Sequence, residues 1–145
     1  MSIPLWTLLG FAAWTIAVLM FGVGLRRWTL IFAGRAALTS FPGDTPHGST
    51  AYRRSMRAHA NCVENLPVFA AIVLISAVTD IVPPIMDVLA LTVIAARIAQ
   101  SLVHMLFTET NTTVAVRFGF FFVQLLAMTA MGVAIAIAAA SRGTL

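Results

Sequence analysis

Residues 118–140 read FGFFFVQLLAMTAMGVAIAIAAA, without a charged side chain. A helix needs about 20 apolar residues to cross a hydrocarbon core of roughly 30 Å, and this stretch suffices. It does not alternate between polar and apolar positions as a barrel strand does, and an open sheet in lipid would leave backbone groups unpaired, so helix is the state to expect. Working outward, three more stretches behave alike. Ile3 to Leu25 is also uncharged, Ala60 to Val82 contains only Glu64 and Asp80, and Ile85 to Phe107 contains only Asp87 and Arg97. The expected fold is an all-α integral membrane four-helix bundle with spans at about 3–25, 60–82, 85–107 and 118–140. Residues 1–145 read as a single transmembrane domain with no internal repeat.

Composition agrees. Of the 145 residues 60% are apolar and 10% charged, whereas a soluble surface carries roughly 25–35% charged residues. Lipid is therefore the expected solvent for most of the chain. All nine cations are arginine and the net charge is +4. Outside one segment they form no basic stripe interleaved with aromatics, so no nucleic-acid partner is expected. The single cysteine, Cys62, excludes an intramolecular disulfide and a cysteine-based zinc site, and no metal is expected. Met1-Ser2-Ile3-Pro4 lacks a positive leader region, so the first apolar stretch reads as a retained span.

The exceptional basic segment sets the topology. Between residues 26 and 57 stand Arg26, Arg27, Arg35, Arg53, Arg54 and Arg57, around turn residues at Phe41-Pro42-Gly43-Asp44-Thr45-Pro46-His47-Gly48. The positive-inside rule places this loop in the cytoplasm. Both termini and the Pro83-Pro84 turn, flanked by Asp80 and Asp87, then face the opposite side, and the connection from Thr108 to Thr113 returns to the cytoplasm.

An ionisable group within a span costs at least about 2.5–3.5 kcal/mol, so each needs a partner or a task. Arg57, Asn61 and Glu64 are spaced i, i+4, i+7, which places them on one face and descends roughly 10 Å from the cytoplasmic boundary. Arg97, Gln100, Ser101 and His104 share one face of the third span, with Arg97 deep and His104 shallow. On the fourth span Arg117 lies at the cytoplasmic mouth and Gln124 about 10 Å lower on the same side. Glu64 and Arg97 fall at matching depth and are expected to interact, directly or through a ligand. An arginine-rich recess with one carboxylate, amides and a histidine suits a small anion that also carries an ammonium. Nearby cations would also favour the thiolate of a bound thiol.

The run Arg57-Ala58-His59-Ala60-Asn61-Cys62-Val63-Glu64-Asn65-Leu66-Pro67-Val68-Phe69 resembles the R-A-x-x-N-x-x-E-x-x-P-x-F signature of the MAPEG family, membrane-associated proteins in eicosanoid and glutathione metabolism. Chain length, the number of spans, the arginine-rich first loop and the third-span arginine extend the resemblance over essentially the whole chain. It implies a homotrimer of four-helix bundles, with glutathione bound between neighbouring subunits near the cytoplasmic face. By the same resemblance Arg57, Asn61, Glu64 and Arg97 bind glutathione, and Arg117, opening the fourth span, stabilises the thiolate as the catalytic residue. Arg54 matches a further family arginine and joins the glutathione-binding set, while Arg35 matches one only loosely. Two positions depart from the pattern of several eukaryotic members. Tyrosines expected seven residues after Arg97 and four after Arg117 are His104 and Phe121. His104 is assigned to the glutathione site as a hydrogen-bond donor or stacking group.

Structural readings stand beside these. Glu64 and Arg97 can be a buried ion pair joining two helices. Arg57 and Arg117 can be interfacial arginines that snorkel, and Asn61, Gln100, Ser101 and Gln124 can be interhelical hydrogen bonders. Cys62 is expected to be a packing residue. Phe118, Phe120, Phe121 and Phe122 form either an interfacial belt or part of a lipophilic groove. The function expected is a membrane-bound glutathione transferase, with peroxidase activity as an option, acting on lipophilic electrophiles from the bilayer. Short loops and the lack of an endoplasmic-reticulum retention signal point to a bacterial-type member in the inner membrane. The rivals are a non-catalytic family member that binds glutathione or lipid, and a small organic-anion transporter. Against the transporter, the spans beyond Pro67 and before Arg97 are nearly all apolar.

Overall fold

The computed structural model describes residues 1–42 and 47–143. The turn expected over Gly43 to Pro46 lies outside the described residues. Among these residues are four helices long and apolar enough to cross a membrane, Ile3–Phe32, Thr50–Thr79, Met86–Leu106 and Asn111–Ser141, and no strand. The chain is an all-α, multi-pass membrane protein. The first, second and fourth helices run past their apolar windows at the arginine-rich end. Helices of 30 or 31 residues span about 45 Å, close to the full bilayer thickness of roughly 40–45 Å with headgroups. Hydropathy locates hydrocarbon, whereas backbone hydrogen bonding continues through the interface. Arg26 and Arg27, and likewise Arg53, Arg54 and Arg57, are therefore helical residues, the first helix ending at Phe32 and the second starting at Thr50.

The first helix starts with Pro4 in its first turn, where no helical donor is needed. It widens to a π-helical segment over Val18–Gly24 before resuming α geometry at Leu25–Phe32. Gly22 lies in this segment. A Cβ there would come 3.1 Å from that of Ser55, so its lack of a side chain lets the first and second helices approach closely. Just beyond, Arg26 Nη1 donates to Ser49 Oγ at 2.9 Å, Arg27 Nε donates to the Tyr52 hydroxyl, and both guanidiniums lie over the Tyr52 ring. These two cations tie the end of the first helix to the start of the second, whose Thr50–Thr79 is capped by Ser49.

At the other end, Asp80 closes the second helix in the left-handed region (φ 53°). Ser76 Oγ donates to the Ile81 carbonyl at 2.6 Å, and Arg142 Nη1 donates to the Asp80 carbonyl at 3.0 Å. The carboxyl end of the fourth helix thus meets the Pro83-Pro84 turn at one end of the bundle.

The third helix is the innermost. Met86, Ala90, Val93, Ala96, Arg97, Gln100, Ser101 and His104 are all buried. Its apolar members join Phe11, Phe69, Val73 and Met131 in the core. All four helices turn apolar side chains outward, among them Ile16, Phe21, Val78, Leu91, Phe118 and Ile137. This is the pattern of a bundle whose solvent is lipid or another apolar surface.

Candidate functional site

The polar face of the third helix points into the bundle as its spacing predicts. Two separate groupings form along it. The deeper one surrounds Arg97. Its side chain is fully buried, its guanidinium lies 5.4 Å from the centre of the Phe11 ring, and none of its three side-chain nitrogens has a hydrogen-bond partner. Ser101, one turn on, donates to the Arg97 carbonyl at 2.9 Å and lies 3.6 Å from Cys62 Sγ. Cys62 is wholly buried in the core, as a packing residue should be.

The shallower grouping lies at the arginine-rich end and joins three elements. Gln124 Nε2 of the fourth helix donates to Gln100 Oε1 of the third at 3.0 Å and to the Phe120 carbonyl at 3.0 Å. Gln100 Nε2 in turn donates to the Arg117 carbonyl at 3.3 Å. Above them Arg117 Nη1 lies 3.1 Å from Nδ1 and 3.2 Å from Nε2 of His104. The same Nη1 is 3.5 Å from Glu109 Oε1, to which Arg57 Nη1 donates at 3.0 Å. The amides thus fix the backbone at the start of the fourth span and His104 orients the guanidinium. A carboxylate sits between the two arginines. Arg117 is largely shielded, with 15% of its side chain exposed, against 65% for Arg57.

Of the residues singled out in the sequence, Arg57, His104 and Arg117 come together, with Gln100 and Gln124 supporting them. Glu64 and Arg97, expected to interact directly or through a ligand, form no ion pair at contact distance, Glu64 lying on the exposed face of the second helix and Arg97 being fully buried, but the Glu64 carboxylate still acts electrostatically on the Arg97 guanidinium. Helical rise brings two residues to one depth but says nothing about which way each face turns. Asn61 is half-buried between Arg57 and Glu64 on the outward stripe, and its carbonyl accepts from Asn65 Nδ2 at 2.8 Å. Arg54 is half-buried, and its Nε has no hydrogen-bond partner. Phe121 packs on Phe118 at 6.5 Å, and Phe118 stacks with Phe122 at 6.3 Å, leaving Phe118 and Phe122 exposed in an outward aromatic cluster.

Sequence reading overlooked Glu109. The only available signal was an acid on the arginine-rich side, directly before the Thr110 cap of the fourth helix. A further cavity of about 340 Å³ opens beside the first helix, with Met20, Val23, Trp28 and Phe41 among its walls and Arg27 as its charged member. No group of three histidine, cysteine, aspartate or glutamate side chains that could hold a metal ion occurs among the described residues.

Compared with known proteins, residues 3–137 match the MAPEG family. Neither a curated protein nor a solved structure matches the chain.

Proposed function

From the premise that the chain belongs to the MAPEG family, which matches it from residue 3 to residue 137, we propose that it is a membrane-bound glutathione transferase whose thiolate attacks lipophilic electrophiles, or reduces hydroperoxides, drawn from the bilayer. The observation that carries this reading is the carboxylate held between Arg57 and Arg117, at 3.0 and 3.5 Å. A site that accommodates the side chain of Glu109 in this way has the charge and spacing to take a carboxylate of a glutathione molecule. Charge-assisted contacts of this type are the stronger class of hydrogen bond.

In this proposal Arg57, Asn61 and Arg54 address glutathione carboxylates and backbone, and Glu64 takes the ammonium. Arg97 supplies positive charge at depth, its unpartnered guanidinium being ready for a further polar group. Arg117, oriented by His104, stabilises the thiolate. The bound thiol gives up its proton to water, and the sulfur then forms a bond to the electrophilic carbon as that carbon's leaving group or π electrons depart. With a hydroperoxide the sulfur instead takes the outer oxygen as the O–O bond breaks and the alcohol leaves, and a second glutathione displaces that oxygen as water to give the disulfide. Enclosure raises the worth of the arginine charge relative to open water.

Glu64 bears on assembly. A carboxylate on the exposed face of a spanning helix is costly against lipid, and a homotrimer would cover it, completing the site with a neighbouring subunit. We place the 33–49 loop and this mouth on the cytoplasmic side of a bacterial inner membrane, on the arginine distribution. The apolar cavity beside Arg27 offers space for lipophilic material. One observation favours a second reading, a non-catalytic subunit that binds glutathione. His104 is already engaged with Arg117, and Phe121 has no hydroxyl to offer.

The test is ultraviolet difference absorbance of the detergent-solubilised protein mixed with glutathione near neutral pH. The transferase reading predicts a thiolate band in the wild type that is lost in Arg117→Ala. Glutathione binding measured by calorimetry without any band would favour the non-catalytic subunit.

A further inference from the structure

Glu109 lies in the short connection between the third and fourth helices, outside every residue pattern that suggested a ligand site. Its neighbour Thr110 is fixed by a reciprocal cap. The Thr110 hydroxyl accepts from the Thr113 amide at 3.2 Å, and the Thr113 hydroxyl accepts from the Thr110 amide at 2.8 Å. Glu109 is thereby presented from an anchored piece of backbone rather than from a free loop. One of its oxygens, Oε1, meets both Arg57 from the second helix and Arg117 from the fourth. No other carboxylate among the described residues forms an ion pair with either arginine.

Two arginines sharing one tethered carboxylate are already neutralised in part before any ligand arrives. A ligand carboxylate entering between them must exchange with Glu109. The exchange is feasible because the pair is half open to solvent, with 65% of the Arg57 and 48% of the Glu109 side chain exposed. Exposed ion pairs of this kind shift an equilibrium by no more than about fivefold.

We infer that Glu109 is an internal competitor at this site, a tethered carboxylate that holds the place between Arg57 and Arg117 until a ligand brings a carboxylate of its own, and so sets the site's affinity for carboxylate ligands. This rests on the glutathione reading above. Binding of glutathione to the wild type exchanges one anion for another at these arginines, so its dependence on salt is shallow. In Glu109→Gln the ligand newly neutralises both cations, so binding is tighter and more strongly screened.

The experiment is calorimetric titration of the full-length, detergent-solubilised protein with glutathione at low and at high salt, for wild type, Glu109→Gln and Glu109→Ala. The expected result is roughly three- to fivefold tighter binding by both variants at low salt, a gain that disappears at high salt. Equal or weaker binding by the variants, with an unchanged salt slope, overturns the role of Glu109 while the wild type's binding upholds the glutathione site. Failure of all three proteins to bind glutathione overturns both the site and this inference.

Discussion

Arg97 carries a charge where burial is complete, and its guanidinium meets an aromatic face but no hydrogen-bond acceptor. A desolvated cation over a ring recovers about 2 kcal/mol or more, against a desolvation penalty of several kcal/mol. A side chain held on those terms is poor cement. Methionine, of similar length and apolar, should therefore leave the bundle as stable as before or more so, as replacement of buried ions by apolar side chains often does. The expected outcome for Arg97→Met is a Tm in detergent equal to or above that of wild type, with glutathione affinity reduced about tenfold, the worth of one charged contact of roughly 1.4 kcal/mol. A variant that melts lower and binds glutathione unchanged would assign Arg97 to the bundle alone. The spacing of Arg97, Gln100, Ser101 and His104 made their common face legible in the sequence. It did not reveal Phe11 as the surface that Arg97 meets, since that contact joins residues far apart in the chain.

At the scale of the element, the amino end of the fourth helix is the joint on which the shallow cluster depends. Thr110 and Thr113 satisfy two of the backbone donors that a helix start leaves open, and the same helix carries Arg117 two turns on. Thr110→Ala should cost about 1 kcal/mol of stability, the usual value of a lost cap. It should also speed amide hydrogen exchange across residues 108–114 while leaving the core of the third helix protected. Thermal unfolding in detergent and exchange mass spectrometry check the two halves of that expectation. The helices themselves were legible because an apolar stretch of this length has no other way to satisfy its backbone in lipid. Their ends were less so, because Arg53, Arg54 and Arg57 lie beyond the apolar window yet continue the second helix. The π-helical segment at Val18–Gly24 carries no sequence signal beyond Gly22 and Gly24, and its close approach to Ser55 is a property of the packed pair.

Across the whole molecule the inward and outward faces divide sharply by chemistry. The third helix buries its polar face among the others, while exposed apolar side chains such as Phe21, Val78, Leu91 and Phe122 cover the outside. Glu64 interrupts that apolar exterior. On the proposed assembly its outward position is a contact with a second copy of the chain, and the detergent-solubilised protein should have the mass of a homotrimer by light scattering. Glu64→Lys should shift that mass downward, since it puts the wrong charge beside the arginines of a neighbour. A monomeric wild type that still binds glutathione would move the whole site into one chain.

The amino-acid sequence by itself determined the number of helices, their passage through lipid and the end of the bundle at which positive charge gathers, because each follows from local composition and from the need to pair every backbone group. The same local periodicity placed Arg57, Asn61 and Glu64 on one stripe and His104 on another. Only the tertiary structure decided how those stripes turn relative to each other. It turned Glu64 outward and Arg97 inward, brought His104 to Arg117 and set Glu109 between two arginines, because helix rotation is chosen by packing across the bundle, where side chains from different helices compete for the same space and the same partners.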